Sequence, residues 1–194
     1  MEFSDVVKNR VSCRKYNGKA VSQEMIDKIL GMMVLAPTVG HLQAYRVKVF
    51  LVEDGAWVDG SAGSDDGAGG REAIEKIGIV AGQEERVKGA GAAIVFFAVP
   101  SDAAKYGERG EKVFALQDAT IACSYAQLAA CDLGLASLWI GAFDEKKLME
   151  LCEAAGSMGS PRQGEGVPVS ILILGYSDEE LKRAERKRLG DLLL

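Results

Sequence analysis

Arg10, Ser12 and Arg14 alternate within the stretch NRVSCRKY, residues 9–16. An extended backbone sends alternate side chains to the same side, so two guanidiniums and a hydroxyl placed this way can converge on one small anion. Guanidinium forks match phosphate geometry. The same residues equally describe a solvated turn after a first helix, and taken alone they leave both readings open. A second stretch, APTVGHLQAYR at 36–46, carries Thr38, Gly40, His41 and Gln43 as a short polar turn between two strongly apolar elements. Backbone and side-chain polar groups there can meet a planar ligand, or simply connect a helix to a strand.

Other chemistries fail on the residues. The chain has 194 residues and a formal net charge of -5, and the acidic balance argues against nucleic acid as a partner. No segment approaches the roughly 20 uninterrupted apolar residues that span a bilayer. The N-terminal MEFSDVVKNR does not read as a secretory signal. Cys13, Cys123, Cys131 and Cys152 form no CxxC pair and read as reduced, buried thiols of a cytoplasmic protein. His41 is the single histidine, which disfavours zinc and hydrolase triads alike. GAGAAI at 89–94 has Ile94 where a dinucleotide fingerprint needs a small residue, and it precedes a strand instead of following one. No P-loop occurs, and Asp65 and Asp66 lack the remaining ligands of a calcium loop.

The positioning elements follow from periodicity and punctuation. Phe3, Val6 and Val7 mark the inner face of a short helix. Ser22 caps a second helix whose face is Met25, Ile26, Ile29, Leu30 and Met33, and Pro37 ends it. YRVKVFLV alternates Arg46 and Lys48 against Val47 and Val49 before turning fully apolar, as a strand entering a core. Residues 54–70 are loop by composition, and REAIEKIGIVAG reads as a short helix. AAIVFFAV and VPVSILILG read as buried strands, and ASLWIGAF as a strand or extended segment. A long core helix runs from Glu111 to Cys131, lined by Phe114, Ile121, Tyr125 and Leu128 and closed by Gly134. Asp144 caps a further helix that Gly156 follows. SDEE at 177–180 has capping-box spacing and opens a basic, helical-looking tail, KRAERKR. Without repeats or a composition break, these elements predict one α+β domain over residues 1–194.

Taken together, the stretches resemble the flavin-dependent nitroreductase family. RVSCRKY matches its opening Arg-Arg-Ser-x-Arg-x-Phe, and APTVGHLQAY its Ala-Pro-Ser-x-x-Asn-x-Gln-Pro-Trp. LQDATIACSYAQLAACDLGLASLWIGAFD resembles the family's Gln-Asp helix and Trp-Ile-Gly-Gly-Phe segment, and ILILGY its last strand. The resemblance implies a central, mainly antiparallel sheet flanked by helices, an interlocked homodimer, and FMN at the interface. It implies that Arg10, Val11, Ser12 and Arg14 hold the FMN phosphate together with Arg186 or Arg188 of the tail. Pro37, Thr38, Val39 and His41 would meet the ribityl chain and ring from one side, and Ile140, Gly141 and Ala142 from the other. Some of these contacts would come from a partner chain. NADH or NADPH would deliver electrons, and a nitroaromatic, quinone or similar small acceptor would take them in a ping-pong cycle. No side chain is expected to act as an acid or base. Tyr106 and Phe114 read as loop and core residues, with a substrate-facing role as the alternative. His41 stands where the family has Asn, Ala44 where it has Pro and Tyr45 where it has Trp. Those departures leave a non-catalytic flavin-binding protein, or a cofactor-free interaction domain, as the competing readings.

Overall fold

The computed structural model describes residues 1–52, 68–155 and 166–193. The elements run α1 (Phe3–Asn9), α2 (Gln23–Met33), β1 (Tyr45–Leu51), α3 (Ala68–Ala81), α4 (Glu84–Val87), β2 (Ala92–Ala98), α5 (Gly107–Arg109), α6 (Ala115–Asp132), β3 (Ala136–Ile140), α7 (Glu145–Ala154) and β4 (Val167–Gly175). The four strands form one antiparallel sheet in the order β1-β2-β4-β3. The mainly antiparallel α+β architecture is thus present.

Both faces of the sheet are covered, which explains the continuous apolar runs of β2 and β4. Leu51, Ala92, Ile94, Phe96, Leu172 and Leu174 face α2 and α6. Phe50, Ala93, Val95, Phe97, Ile171 and Ile173 face α3 and α7. This double cover corrects the expected alternation in β1. Lys48 is buried while Val47 and Val49 are only half-buried. Its Nζ donates to the carbonyl of Ala155 at 3.3 Å, at the C-terminal end of α7, where the helix dipole favours a cation.

Local capping follows the sequence closely at two helices. Ser22 Oγ accepts from the backbone N–H of Met25, and Asp144 accepts from that of Lys147 at 3.1 Å. Helix α2 ends at Met33, four residues before Pro37. Gly134, at φ 79°, lets the chain leave α6 through a left-handed residue. Residues 68–70 belong to α3, which is longer than expected at 14 residues. The rest of the expected 54–70 loop, and Gly156, lie outside the described residues.

Three expectations are corrected. The buried face of α6 is small: Ala115, Ala119, Ala122, Cys123, Ala126 and Ala130 pack on the sheet. Phe114, Ile121 and Leu128 are only partly buried, and Tyr125 is exposed. Alanines allow the helix to approach the strands closely, and the bulky side chains turn outward. In α1 only Val6 is buried, while Phe3 is 73% exposed. The tail is not helical over 177–188. Asp178 accepts from Asn17 and Glu179 pairs with Lys15 at 2.9 Å, so these carboxylates serve the N-terminal segment and not a helix start.

Candidate functional site

Ser12 bridges Ser137 in parallel, and the N–H of Cys13 donates to the carbonyl of Ser137 at 2.8 Å. The Arg10–Arg14 segment therefore lies along the outer edge of β3. Arg10 is half-buried at the end of α1. Burial depresses its pKa, and the neighbouring Arg183 and Arg186 guanidiniums depress it further. No carboxylate is among the charges acting on Arg10. Among the described residues, two further guanidiniums thus gather at Arg10 with no carboxylate acting on it, an arrangement that favours an incoming anion.

The other expected phosphate contacts are distributed around this cluster. Val11 and Ser12 are half-buried in the bridged segment. Arg14 is exposed and lines a cleft of about 400 Å³ with Lys15, Tyr16, Asn17, Glu85 and Lys88. Arg188 instead pairs with Asp191 at 3.5 Å, its side chain 90% exposed. Beyond β3, Gly141 and Ala142 are exposed. A methyl group built on Gly141 would meet only Trp139 Nε1, at 3.9 Å, so a flat molecule has room to approach this backbone. Ile140, on the strand itself, is buried in the core.

The 36–46 turn is built at the opposite edge of the sheet, where the chain enters β1. Gly40, His41 and Gln43 all adopt positive φ, at 50°, 59° and 49°. At His41 and Gln43, which unlike glycine pay for this conformation, the surroundings must hold the strain in place. Asp118 does so. Its carboxylate, 2% exposed, accepts from the N–H of Val39 at 2.9 Å and from that of Ala44 at 3.2 Å. Thr38 Oγ1 accepts from the N–H of Gln43 at 3.2 Å. Pro37 and His41 are exposed, and Thr38 and Val39 half-buried. His shares with Asn a tolerance for the left-handed region, so the exchange at position 41 preserves the backbone.

Tyr106 packs over this turn. A methyl group on Gly40 would lie 2.3 Å from its hydroxyl, so a side chain there would have to push the Tyr106 ring off the turn. The Tyr106 ring stands edge-on to Phe114 at 5.8 Å, and Arg46 anchors the segment by pairing with Asp102 at 3.0 Å. A π-helical turn, Gly110–Phe114, leads into α6, and a methyl on Gly110 would collide with the Ala103 carbonyl at 2.1 Å. Such turns recur at functional sites. The structure thus draws Tyr106 and Phe114 together beside the turn.

Asp118 enters the sequence reading only as the acid of the Gln-Asp helix, without a role, and Arg183 does not enter it. An aspartate in register with Ala115, Ala119 and Ala122 on an inward helix face was a usable signal, because a carboxylate is buried only when partnered. Nothing distinguishes Arg183 from the other cations of the tail.

Within one chain the two stretches do not meet. Helix α6 meets the turn at Asp118, in its first turn, and ends beside Arg10, where Cys131 Sγ lies 3.5 Å from the Val6 carbonyl. Thirteen residues of α-helix separate Asp118 from Cys131, about 20 Å at roughly 1.5 Å per residue.

Comparison with known proteins gives the architecture a family. A protein of Methanothermobacter thermautotrophicus named "Putative NADH dehydrogenase/NAD(P)H nitroreductase" is 29% identical over 181 residues, covering 92% of this chain and 79% of that one. A solved FMN-dependent nitroreductase from Clostridium difficile R20291 is 27% identical, with a TM-score of 0.66, covering 93% of this chain and 90% of its own. A nitroreductase family protein from Clostridium difficile 630, 24% identical and covering 100% of this chain and 98% of its own, shares the fold at a TM-score of 0.74. The model of the nitroreductase family matches residues 7–176, and this chain belongs to that family.

Proposed function

We propose that the protein is an FMN-dependent oxidoreductase that passes electrons from NADH or NADPH to a small acceptor such as a nitroaromatic or a quinone. The observation that carries this reading is the gathering of Arg183 and Arg186 beside Arg10, with no carboxylate among the charges acting on the Arg10 guanidinium. It suits a phosphate carrying nearly two negative charges. Ser12 and Arg14 extend the anion site along the same segment. Gly141 and Ala142 leave their backbone open to a flat ring. The relatives named for FMN and NAD(P)H support the same assignment.

The site is completed by a second copy of the chain. The separation set by α6 keeps the 37–41 turn away from the Arg10 cluster of its own chain, so a homodimer supplies one to each ligand from either subunit. The outward face supports this. Phe3, Met32, Tyr125 and Leu128 line an apolar groove of about 390 Å³ between α1, α2 and α6. Leu35 and Leu116 extend the exposed apolar surface, which a partner would remove from water.

When bound, the flavin supplies two-electron chemistry, accepting hydride from a nicotinamide and returning it to an acceptor. The chain binds the phosphate, orients the ring against the 37–41 turn and the 140–142 backbone, and leaves one face open. Donor and acceptor use that face in turn, which gives ping-pong kinetics. The test is the visible spectrum of the purified protein before and after anaerobic NADH or NADPH. Flavin bands that bleach are expected. Bands that persist would indicate a non-catalytic flavin protein, and no bands even after incubation with FMN would indicate a cofactor-free interaction domain.

A further inference from the structure

The C-terminal tail does not hang free. It runs antiparallel along the N-terminal segment, pegged in order. The N–H of Asn17 donates to the Tyr176 carbonyl at 2.9 Å, and Asn17 Nδ2 to Asp178 at 2.8 Å. Lys15 pairs with Glu179 at 2.9 Å. Arg183 comes last: its Nη2 donates to the carbonyls of Val7 at 2.7 Å, of Lys8, and of Arg10 at 3.2 Å. These are the carbonyls at the C-terminal end of α1, where a helix presents unsatisfied acceptors and partial negative charge. Three residues further along, Arg186 arrives beside Arg10.

We propose that Arg183 is a positioning residue for the anion site: it clasps the end of α1 and so delivers Arg186 to Arg10. This deepens the reading of the cluster as a phosphate site and rests on it. The three pegs at Asn17 and Lys15 hold residues 176–179 and Leu181 packs on the core, while Arg183 ties the tail to the end of α1 next to Arg10. Without the clasp, the last paired residue before Arg186 is Glu179, seven residues back, and the last packed side chain is Leu181, five residues back. Arg186 then samples solvent, and like-charge repulsion from Arg10 keeps it there until an anion binds. The contacts of Arg183 Nη2 with backbone carbonyls also offset its own repulsion with Arg10, since those acceptors are negative dipoles.

The test uses the full-length protein, stripped of flavin, and compares the affinities of FMN and riboflavin, which differ only by the phosphate. Wild type is expected to favour FMN by at least tenfold. Arg183→Ala is expected to lower that preference at least fivefold while leaving riboflavin affinity within twofold, a pattern that general loss of structure would not give. Arg186→Ala is expected to do the same. The double variant is expected to be no more than twofold worse than Arg186→Ala alone, because a clasp acts only through what it positions. An FMN preference within twofold of wild type in Arg183→Ala would overturn the proposal, as would losses that multiply in the double variant. If Arg183→Ala does not fold, Arg183→Met, which keeps an unbranched apolar stem but carries no donor, is held to the same criteria. Equal wild-type affinity for the two flavins would instead remove the phosphate reading of the cluster, with the clasp left in place.

Discussion

Removing the Asp118 carboxylate is expected to destabilise the protein by about 3 kcal/mol, because its two oxygens hold the N–H groups of Val39 and Ala44 across the turn. A buried N–H left without an acceptor costs about 1–3 kcal/mol, and that of Ala44 is fully buried while that of Val39 is partly so. Asp118→Ala strands both; Asp118→Asn keeps one acceptor and the side-chain volume, so about half of the loss is expected there. For a domain of this size, about 3 kcal/mol corresponds to roughly 6–12 °C in melting temperature. Urea unfolding followed by circular dichroism, with the slope checked for constancy, measures the difference directly. Since Asp118 is the restraint on a turn with three positive-φ residues, the loss is expected to loosen residues 38–44, read as faster amide exchange there. A stability within about 0.5 kcal/mol of wild type for Asp118→Ala would refute the reasoning, because the two bonds would then be replaceable by water.

At position 41 the backbone and not the imidazole sets the constraint: His41→Asn is expected to leave stability within about 0.5 kcal/mol, whereas β-branched His41→Val costs about 1–2 kcal/mol at φ 59°, both read from thermal melts. Gly110→Ala drives a methyl to 2.1 Å from the Ala103 carbonyl, so it is expected to shift the π-helical turn and to lower melting temperature by several degrees, as overpacking against backbone does. Asp144 is held below the usual carboxylate range, chiefly by the N–H of Lys147. A lowered folded pKa gives stability that is complete above the ordinary value of 3.8 and is lost as pH falls from there through the lowered folded pKa. The gap in melting temperature between wild type and Asp144→Ala is therefore expected at pH 7 and to narrow as pH falls below 3.8 toward the lowered folded value.

The parts of this fold that sequence reveals are those fixed by neighbours in the chain. Ser22 and Asp144 announce helix starts because a cap acts on a backbone N–H three residues on. Gly134 announces an end because only glycine takes that φ without strain. What is not legible depends on what lies across from an element. The outward set of α6, Phe114, Ile121, Tyr125 and Leu128, has the periodicity of a core face. Periodicity cannot say whether the cover comes from the same chain, and here the alanine face meets the sheet. Lys48 looked solvent-facing by alternation, but a strand covered on both sides has no outside face, and the end of α7 receives its ammonium. Ser177 and Glu180 have capping-box spacing, yet the acids beside them, Asp178 and Glu179, are drawn to Asn17 and Lys15. In the site, the Arg-x-Ser-x-Arg stretch and the polar turn were visible as residue types. Their remoteness from one another and the residues that hold them, Asp118 and Arg183, are tertiary facts.

The structure of the protein crystallised with FMN tests the central claim most directly. The flavin phosphate is expected among Arg10, Ser12 and Arg186 of one chain, with the ring against residues 37–41 of a second. A flavin held entirely by one chain, or a phosphate away from Arg10, would contradict it.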